Sequence, residues 1–263
     1  MKLNIKNEYS VLKKVLIAPT TQEYINQQKQ LIEILNKYNV KIIMAKECKD
    51  AKYQMFIRDP FIVIGEKIII CSMKEDFRKK EVNAIDGLLK TIDDSKKIKL
   101  KENIIIEGGD VIIHNGVIFV GQNGNRTNKE GLDFLKRTFP QYKVISLNMI
   151  NPNNNMPWIH LDCLFNPINF DTAIVYKDGF DKKSFNILKE NFSNLIFLSK
   201  EEQDELATNV FNLGNKTVIM QKRHERLIKE IKSLGFNVEI MDIYDTIYET
   251  GYNRCMTCPI ERI

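Results

Sequence analysis

Four short segments of this 263-residue chain carry the side chains best suited to chemistry: Arg58-Asp59-Pro60, Glu107-Gly108-Gly109-Asp110, His160-Leu161-Asp162 and Gly251-Tyr252-Asn253-Arg254-Cys255. Together they supply carboxylates, one imidazole and one thiol, the set that nucleophilic catalysis with proton transfer requires. Taken singly, each is ordinary. Arg-Asp-Pro is commonly a turn with a surface ion pair, Glu-Gly-Gly-Asp a polar loop, and a lone His a packed, hydrogen-bonded side chain. Two other chemistries compete for the same residues. Cys255-Met256-Thr257-Cys258 has zinc-ligand spacing, for which His160-Leu161-Asp162-Cys163 offers two more donors, and the same cysteine pair could be a redox dithiol. Neither alternative uses Asp59 or Glu107. Cys48, Cys71 and Cys163 lie in apolar stretches and read as core thiols.

The elements that must position these segments form a weak repeat of roughly fifty residues: strand, short turn, strand, amphipathic helix, closing strand. Hairpins are expected from Phe61 to Ile64 with Lys67 to Cys71, from Val111 to Ile113 with Val117 to Val120, from Leu164 to Asn166 with Ala173 to Tyr176, and from Asn209 to Leu213 with Thr217 to Gln221. Helical spacing of apolar residues runs over Gln22 to Tyr38, Glu75 to Lys90, Asn128 to Phe139, Lys182 to Asn191 and Arg223 to Leu234. Closing strands follow at Lys41 to Met44, Lys143 to Leu147, Leu195 to Leu198 and Val238 to Met241. The first unit shows only Val15 to Ala18 at its start, so the C-terminal segment is expected to supply the missing partner and close a ring. An open α/β sheet without symmetry fits the periodicity equally well. The repeat nevertheless has a chemical consequence: the acidic and imidazole segments each fall just before the first strand of a hairpin, positions that face the axis of a closed ring.

Composition excludes several classes of function. The formal charge of +5, from 39 Lys and Arg against 34 Asp and Glu, is spread over the whole length, too weak a field to argue for nucleic acid. No apolar run approaches the roughly 18 residues of a membrane span, and the first ten residues have no apolar core of signal-peptide type. With 43% hydrophobic residues, a single domain over residues 1–263 with a sizeable core is expected. Five cysteines, an odd number without an export signal, imply a reducing cytoplasm. No Gly-rich phosphate loop is present, since Gly108-Gly109 leads into a strand.

In order along the chain, Arg58-Asp59-Pro60-Phe61, Glu107-Gly108-Gly109-Asp110-Val111, Gly121 with Arg126-Thr127-Asn128 and Glu130-Gly131, His160-Leu161-Asp162, and Arg254-Cys255-Met256-Thr257 resemble the motifs of the guanidine-modifying enzymes. That superfamily comprises arginine deiminase, dimethylarginine dimethylaminohydrolase and the amidinotransferases. The resemblance spans nearly the whole chain and implies an α/β fold, the five-bladed α/β propeller called a pentein. It also implies roles. Asp59 and Asp162 would hold the nitrogens of a guanidinium, a planar cation suited to paired charge-assisted hydrogen bonds. Cys255 would attack the central carbon, His160 would protonate the leaving nitrogen and then activate water, and Glu107 would orient the imidazole, with Asp110 fixing the loop. Arg58, Arg126 and Arg254 are candidates to bind the substrate, the last two through a carboxylate at its far end. No cofactor or metal is implied; the partner is a small guanidino molecule, with a homodimer as the assembly to consider.

Within the superfamily, Asp162 resembles the enzymes that grip an unsubstituted guanidinium from two sides, which favours an unmethylated substrate. Glu107 resembles the hydrolases, favouring water as acceptor. The compact length instead matches the dimethylarginine hydrolases, and Tyr252 departs from the glycine often found there. The expectation is therefore an arginine deiminase-like hydrolase giving a ureido product and ammonia, with dimethylarginine hydrolysis and then amidino transfer as alternatives, and a propeller binding module or the zinc-site protein as the non-enzyme alternative.

Overall fold

The computed structural model describes residues 1–49, 51, 53–123, 126–150, 159–242 and 251–263. Strand β1 (Leu12–Ile17) leads through helix α1 (Ile25–Lys37) to β2 (Lys41–Met44), which lies parallel to it with Val15 opposite Ile42. The next unit adds a hairpin: β3 (Phe61–Ile64) and β4 (Lys67–Ile70) run antiparallel around Gly65, whose φ of 57° is the left-handed conformation such a tight turn needs. After the short helix α2 (Asp86–Leu89), strand β5 (Lys97–Lys99) pairs parallel to β4.

The same plan recurs three times. Strands β6 (Val111–His114), β7 (Val117–Gln122) and β8 (Lys143–Asn148) enclose helix α3 (Lys129–Thr138) in sequence. Then come β9 (Phe165–Pro167), β10 (Thr172–Val175), α4 (Lys182–Asn191) and β11 (Asn194–Phe197). A brief helix α5 (Lys200–Asp204) leads to β12 (Phe211–Gly214), β13 (Thr217–Gln221), α6 (Glu225–Ser233) and β14 (Asn237–Met241). Finally β15 (Cys258–Arg262) returns to the first sheet, antiparallel to β1 with Leu12 opposite Arg262 and Leu16 opposite Cys258. The described residues thus form five three-stranded sheets in a closed ring, a five-bladed α/β propeller, and the C-terminal strand supplies the partner that the first unit lacks.

Patterning explains the layers. The middle strands β10 and β13 are buried at every position, as expected where both faces of a strand are covered. Helices present one apolar stripe inward: Leu132 and Leu135 of α3, Leu227, Ile228 and Ile231 of α6. Helix α3 starts where the Asn128 side chain accepts from the Gly131 amide, and α4 where Asp181 accepts from Ser184. Among the described residues no helix is long and apolar enough to cross a membrane.

One expected helix departs from its pattern. Over Glu75 to Lys90 the chain forms a 3-10 helix from Asp76 to Ile85, and only then the single α turn of α2. In a 3-10 helix residues i and i+3 eclipse one another, so Arg78 and Glu81 project together into the interior, where their side chains pair at 2.8 Å.

Candidate active site

The five sheets bring five loops together, and hydrogen bonds stitch each loop to the next. The Gly108 amide donates to the Asp59 carbonyl (2.8 Å), and the Leu161 amide to Asp110 Oδ1 (3.0 Å). Gln203 Nε2 donates to the Cys163 carbonyl (2.6 Å), the Arg254 amide to Asn209 Oδ1 (2.9 Å), and the Arg58 amide to the Cys255 carbonyl (3.1 Å), which completes the circuit. The Gly-Gly pair is what permits this closeness. A Cβ on Gly108 would lie 2.0 Å from the Arg58 carbonyl oxygen, and one on Gly109 would lie 2.6 Å from Cγ of His160.

A cleft of about 200 Å³ opens over these loops, with Asp59, His160 and Cys255 in its lining beside Cys163, Arg78 and Arg126. Tyr53, Phe56, Phe77 and Ile159 form its apolar wall. Nε2 of His160 is 2.8 Å from Oε2 of Glu107, whose Oε1 accepts from the Lys74 amide. Nδ1 stands 3.7 Å from Oδ1 of Asp59, an oxygen with no hydrogen bond among the described residues, while Oδ2 of Asp59 accepts from Arg78 Nη1 at 2.8 Å. Sγ of Cys255 accepts from Asn209 Nδ2 at 2.8 Å.

Burial works against the imidazolium of His160, but the Asp59 carboxylate, the hydrogen bond to Glu107 and the Asp110 charge outweigh it and bring the ring up to about 10. His160 is accordingly a cation at neutral pH, with a proton to give. Asp59 moves the other way: burial is overcome by His160 and Arg78, which hold its carboxyl below the usual range. Burial pushes the Cys255 thiol up, and the Asp162 and Asp59 carboxylates add to this, with only the Asn209 hydrogen bond and Arg254 opposing them. The thiol is therefore held in its neutral form. Asp110, buried and bonded to the Leu161 amide, rises to about 7 through desolvation.

The expected residues divide into two groups. Cys255, His160, Glu107 and Asp59 converge, and Arg126 lines the cleft with Nη1 2.6 Å from Glu75. Arg58 and Arg254 stand behind it, which corrects their expected place at the substrate. They are 6% and 1% exposed and are engaged with Glu8, at 3.7 and 3.5 Å, and Arg254 also with Asp162. Asp162 is fully buried: Arg254 bonds its Oδ2, and the Cys163 thiol stands 3.9 Å from Oδ1. Cys163 is thus a cleft residue and not solely a core thiol. The zinc spacing is not realised, since Cys258 lies in β15 with its thiol toward the Phe61 carbonyl; among the described residues no three His, Cys, Asp or Glu side chains are grouped to hold a metal ion.

Arg78, Glu81 and Asn209 were not legible as site residues from motif order. Asn209, expected within its strand, instead stands two residues before β12, the first strand of the fifth blade, just as Asp59 stands two residues before β3, the first strand of the second blade.

A family model for N,N dimethylarginine dimethylhydrolase, in its eukaryotic form, matches residues 6–262. The chain belongs to the N,N-dimethylarginine dimethylhydrolase family. Within the wider guanidine-modifying superfamily, this membership accounts for the order of the motifs. An uncharacterized protein of Bacillus subtilis strain 168, YkgA, is 27% identical over 281 residues, covering 98% of this chain and 94% of its own. Among solved structures, the N-terminal domain of ArgZ, a cyanobacterial arginine dihydrolase, superposes with a TM-score of 0.84 at 18% identity, covering 95% of this chain and 98% of that one. The dimethylarginine dimethylaminohydrolase of Pseudomonas aeruginosa, crystallised with citrulline, gives 0.82 at 17% identity, with coverage of 95% and 100%. At such identities the two structures establish the pentein fold.

Proposed function

We propose that the chain is a cysteine-dependent hydrolase of the C–N bond of a small guanidino compound, arginine or a close relative, releasing a ureido product and ammonia. The observation that carries this reading is the convergence of the Cys255 thiol, the His160–Glu107 pair and the half-satisfied Asp59 carboxylate in one cleft. A guanidinium entering there finds an acceptor in Asp59 Oδ1. Its positive charge, set beside the thiol, offsets the two carboxylates that keep Cys255 neutral, and the thiol proton passes to solvent. The thiolate then bonds to the central carbon. As the C–N bond breaks, the imidazolium of His160 delivers its proton to the departing nitrogen, and ammonia leaves a cationic thiouronium on Cys255. The neutral imidazole next takes a proton from water as its oxygen attacks the same carbon, and rupture of the C–S bond releases the ureido product. Glu107 holds the ring through Nε2, leaving Nδ1 for these transfers. Arg126, in the lining and facing solvent on one side, suits a carboxylate at the substrate's far end.

A second reading, hydrolysis of dimethylarginine, draws on the family match and on the enclosure of Asp162 by Arg254, which leaves Cys163 and Ile159 at the cleft wall. The test is direct. Purified protein is given arginine or N,N-dimethylarginine, with and without glycine, and ureido product, ammonia, dimethylamine and ornithine are measured. Ureido product with ammonia, abolished in Cys255→Ser, supports the first reading; dimethylamine from the methylated substrate alone overturns it in favour of the second. Ornithine formed only with glycine overturns hydrolysis, and full activity in Cys255→Ser removes the nucleophile.

A further inference from the structure

Asn209 is buried against Cys255 without lining the cleft, and its geometry leaves its amide one orientation. Oδ1 accepts from two consecutive backbone amides, those of Arg254 at 2.9 Å and Cys255 at 3.3 Å. With the oxygen so engaged, the NH2 group faces Sγ of Cys255 at 2.8 Å, and it can only donate. We propose that Asn209 is a catalytic residue of the Cys255 chemistry, a fixed donor that stabilises the sulfur when it becomes thiolate and again when it leaves as thiolate from the thiouronium. This rests on Cys255 being the nucleophile, as argued above, but not on the identity of the guanidino substrate.

The surroundings are built to hold that donor still. The carbonyls on both sides of Asn209 are gripped by one buried side chain: Asn166 Nδ2 donates to the Thr208 oxygen at 2.8 Å and to the Val210 oxygen at 2.7 Å. The turn leading in contains Leu206 at φ 54°, a left-handed conformation costly for a branched, bulky residue, held by hydrogen bonds from its amide to Gln203 and from the Asn209 amide to its carbonyl, both 2.9 Å. Gln203 in turn bonds the Cys163 carbonyl, so this turn is tied to the next loop of the ring. Strain concentrated three residues from the donor, in a segment where the amides of Leu206, Ala207, Asn209 and Val210 are all hydrogen-bonded, marks a position where backbone comfort has given way to placement of a side chain.

The electrostatic balance at the thiol supplies the reason. Burial, Asp162 and Asp59 all oppose the thiolate, whereas Asn209 is the hydrogen-bond donor that favours it. A neutral amide does this without attracting a second carboxylate or repelling a guanidinium, as an added cation here would. Because the bond strengthens as charge develops on sulfur, it favours the two steps in which sulfur gains charge, deprotonation of the resting thiol and C–S cleavage.

The first variant is Asn209→Asp, which keeps an oxygen for the two backbone amides but exchanges the NH2 donor for a carboxylate oxygen, so it removes the donor and adds a charge that also opposes the thiolate; the uncharged Asn209→Ser separates the two effects. The primary readout needs no substrate: the rate of iodoacetamide alkylation against pH, followed by mass spectrometry on the Cys255 peptide. Loss of a donor to a charged sulfur should slow alkylation near neutral pH by about ten- to hundredfold. Turnover, once the substrate is known, should fall in kcat more than it rises in KM. Asn209→Ser, which offers a shorter hydroxyl donor and adds no charge, should fall between the native protein and Asn209→Asp, and covers the case in which the aspartate variant does not fold. An unchanged alkylation profile in a folded variant, by circular dichroism and melting temperature, overturns the proposal even if turnover drops. Absence of turnover on any guanidine with the alkylation shift intact would fault the functional reading and leave Asn209's effect on the thiol standing.

Discussion

Replacing Glu107 by Gln tests the electrostatic frame of the site through a single imidazole. The chain has only three histidines, and the structure separates them widely: burial takes His114 and His224 down to about 4, while His160 stands at about 10. Moving His160 from its ordinary 6.5 to about 10 is worth roughly 5 kcal/mol, at about 1.4 kcal/mol per tenfold change in proton affinity. Glu107 contributes the 2.8 Å hydrogen bond, buried and charge-assisted, for which about 1.5–3 kcal/mol is typical. Glu107→Gln should therefore bring His160 down by about one to two pH units, and not back to 6.5, because Asp59 remains 3.7 Å away. Two-dimensional NMR of the ring nitrogens between pH 3 and 11 reads this directly, with His114 and His224 as internal controls. The sign for stability follows: a raised folded-state value contributes fully below pH 6.5 and is lost as the pH climbs through 10, so the variant should be destabilised most at neutral and acidic pH and least at high pH. A native His160 that titrates near 6.5, or one that does not move in Glu107→Gln, would refute the account of the acid-base group.

Gly109→Ala drives a methyl against the buried His160 ring, and should cost about hundredfold in activity, with the loss tracked by NMR displacement of that ring and small in a melting curve by comparison. Arg126→Ala should raise KM about tenfold for a guanidine bearing a carboxylate and leave a plain alkylguanidine unaffected, as steady-state kinetics on the two would reveal. Asp162→Asn leaves the buried Arg254 short of its partner, so denaturant melts should show a loss of about 3–5 kcal/mol, together with a weaker preference for arginine over dimethylarginine. His114 and His224, held neutral, make the fold lose stability as pH falls from 6.5 through 4; His114→Phe, in a pocket with Tyr9, Phe119, Phe170 and Phe192, should flatten that acid limb of the melting-temperature profile.

Much of the ring was legible because its strands are short, apolar and punctuated by Gly and Asn, so hairpins such as Phe61–Ile64 with Lys67–Ile70 announce themselves locally. The residues that converge in the cleft were legible through motif order, and Asp59 beside Pro60 and Glu107 beside Gly108-Gly109 are marked by the rigid or small neighbours that a crowded axis requires. The rest was decided by long-range pairing. Residues 75–85 have helical spacing, yet the inward pair Arg78–Glu81 and its contact with Asp59 select the tighter 3-10 winding. Arg58 and Arg254 look like ligand-binding cations in one dimension, and only the fold reveals Glu8 and Asp162 as their partners. Asn209 meets Cys255 across 46 residues, a contact no local pattern encodes.

The closing of the first sheet by β15 also sets an order of events for folding. Four of the five blades are assembled from neighbours in sequence and can form as independent local units, but the β1–β15 pairing joins Leu12 to Arg262 and must wait for nearly the whole chain to be gathered. Cys255 sits three residues before that last strand. Until the ring closes, Cys255 is an ordinary cysteine on a loose tail, away from Asn209, Asp59 and Asp162, and it reacts with alkylating agents as a model thiol does. Alkylation pulses during refolding would catch it disappearing in a phase later than the gain of helical signal; simultaneous phases would mean that closure is not last. Recovery of activity is then a clock for the final strand, and a chain interrupted before it holds most of the architecture with none of the chemistry.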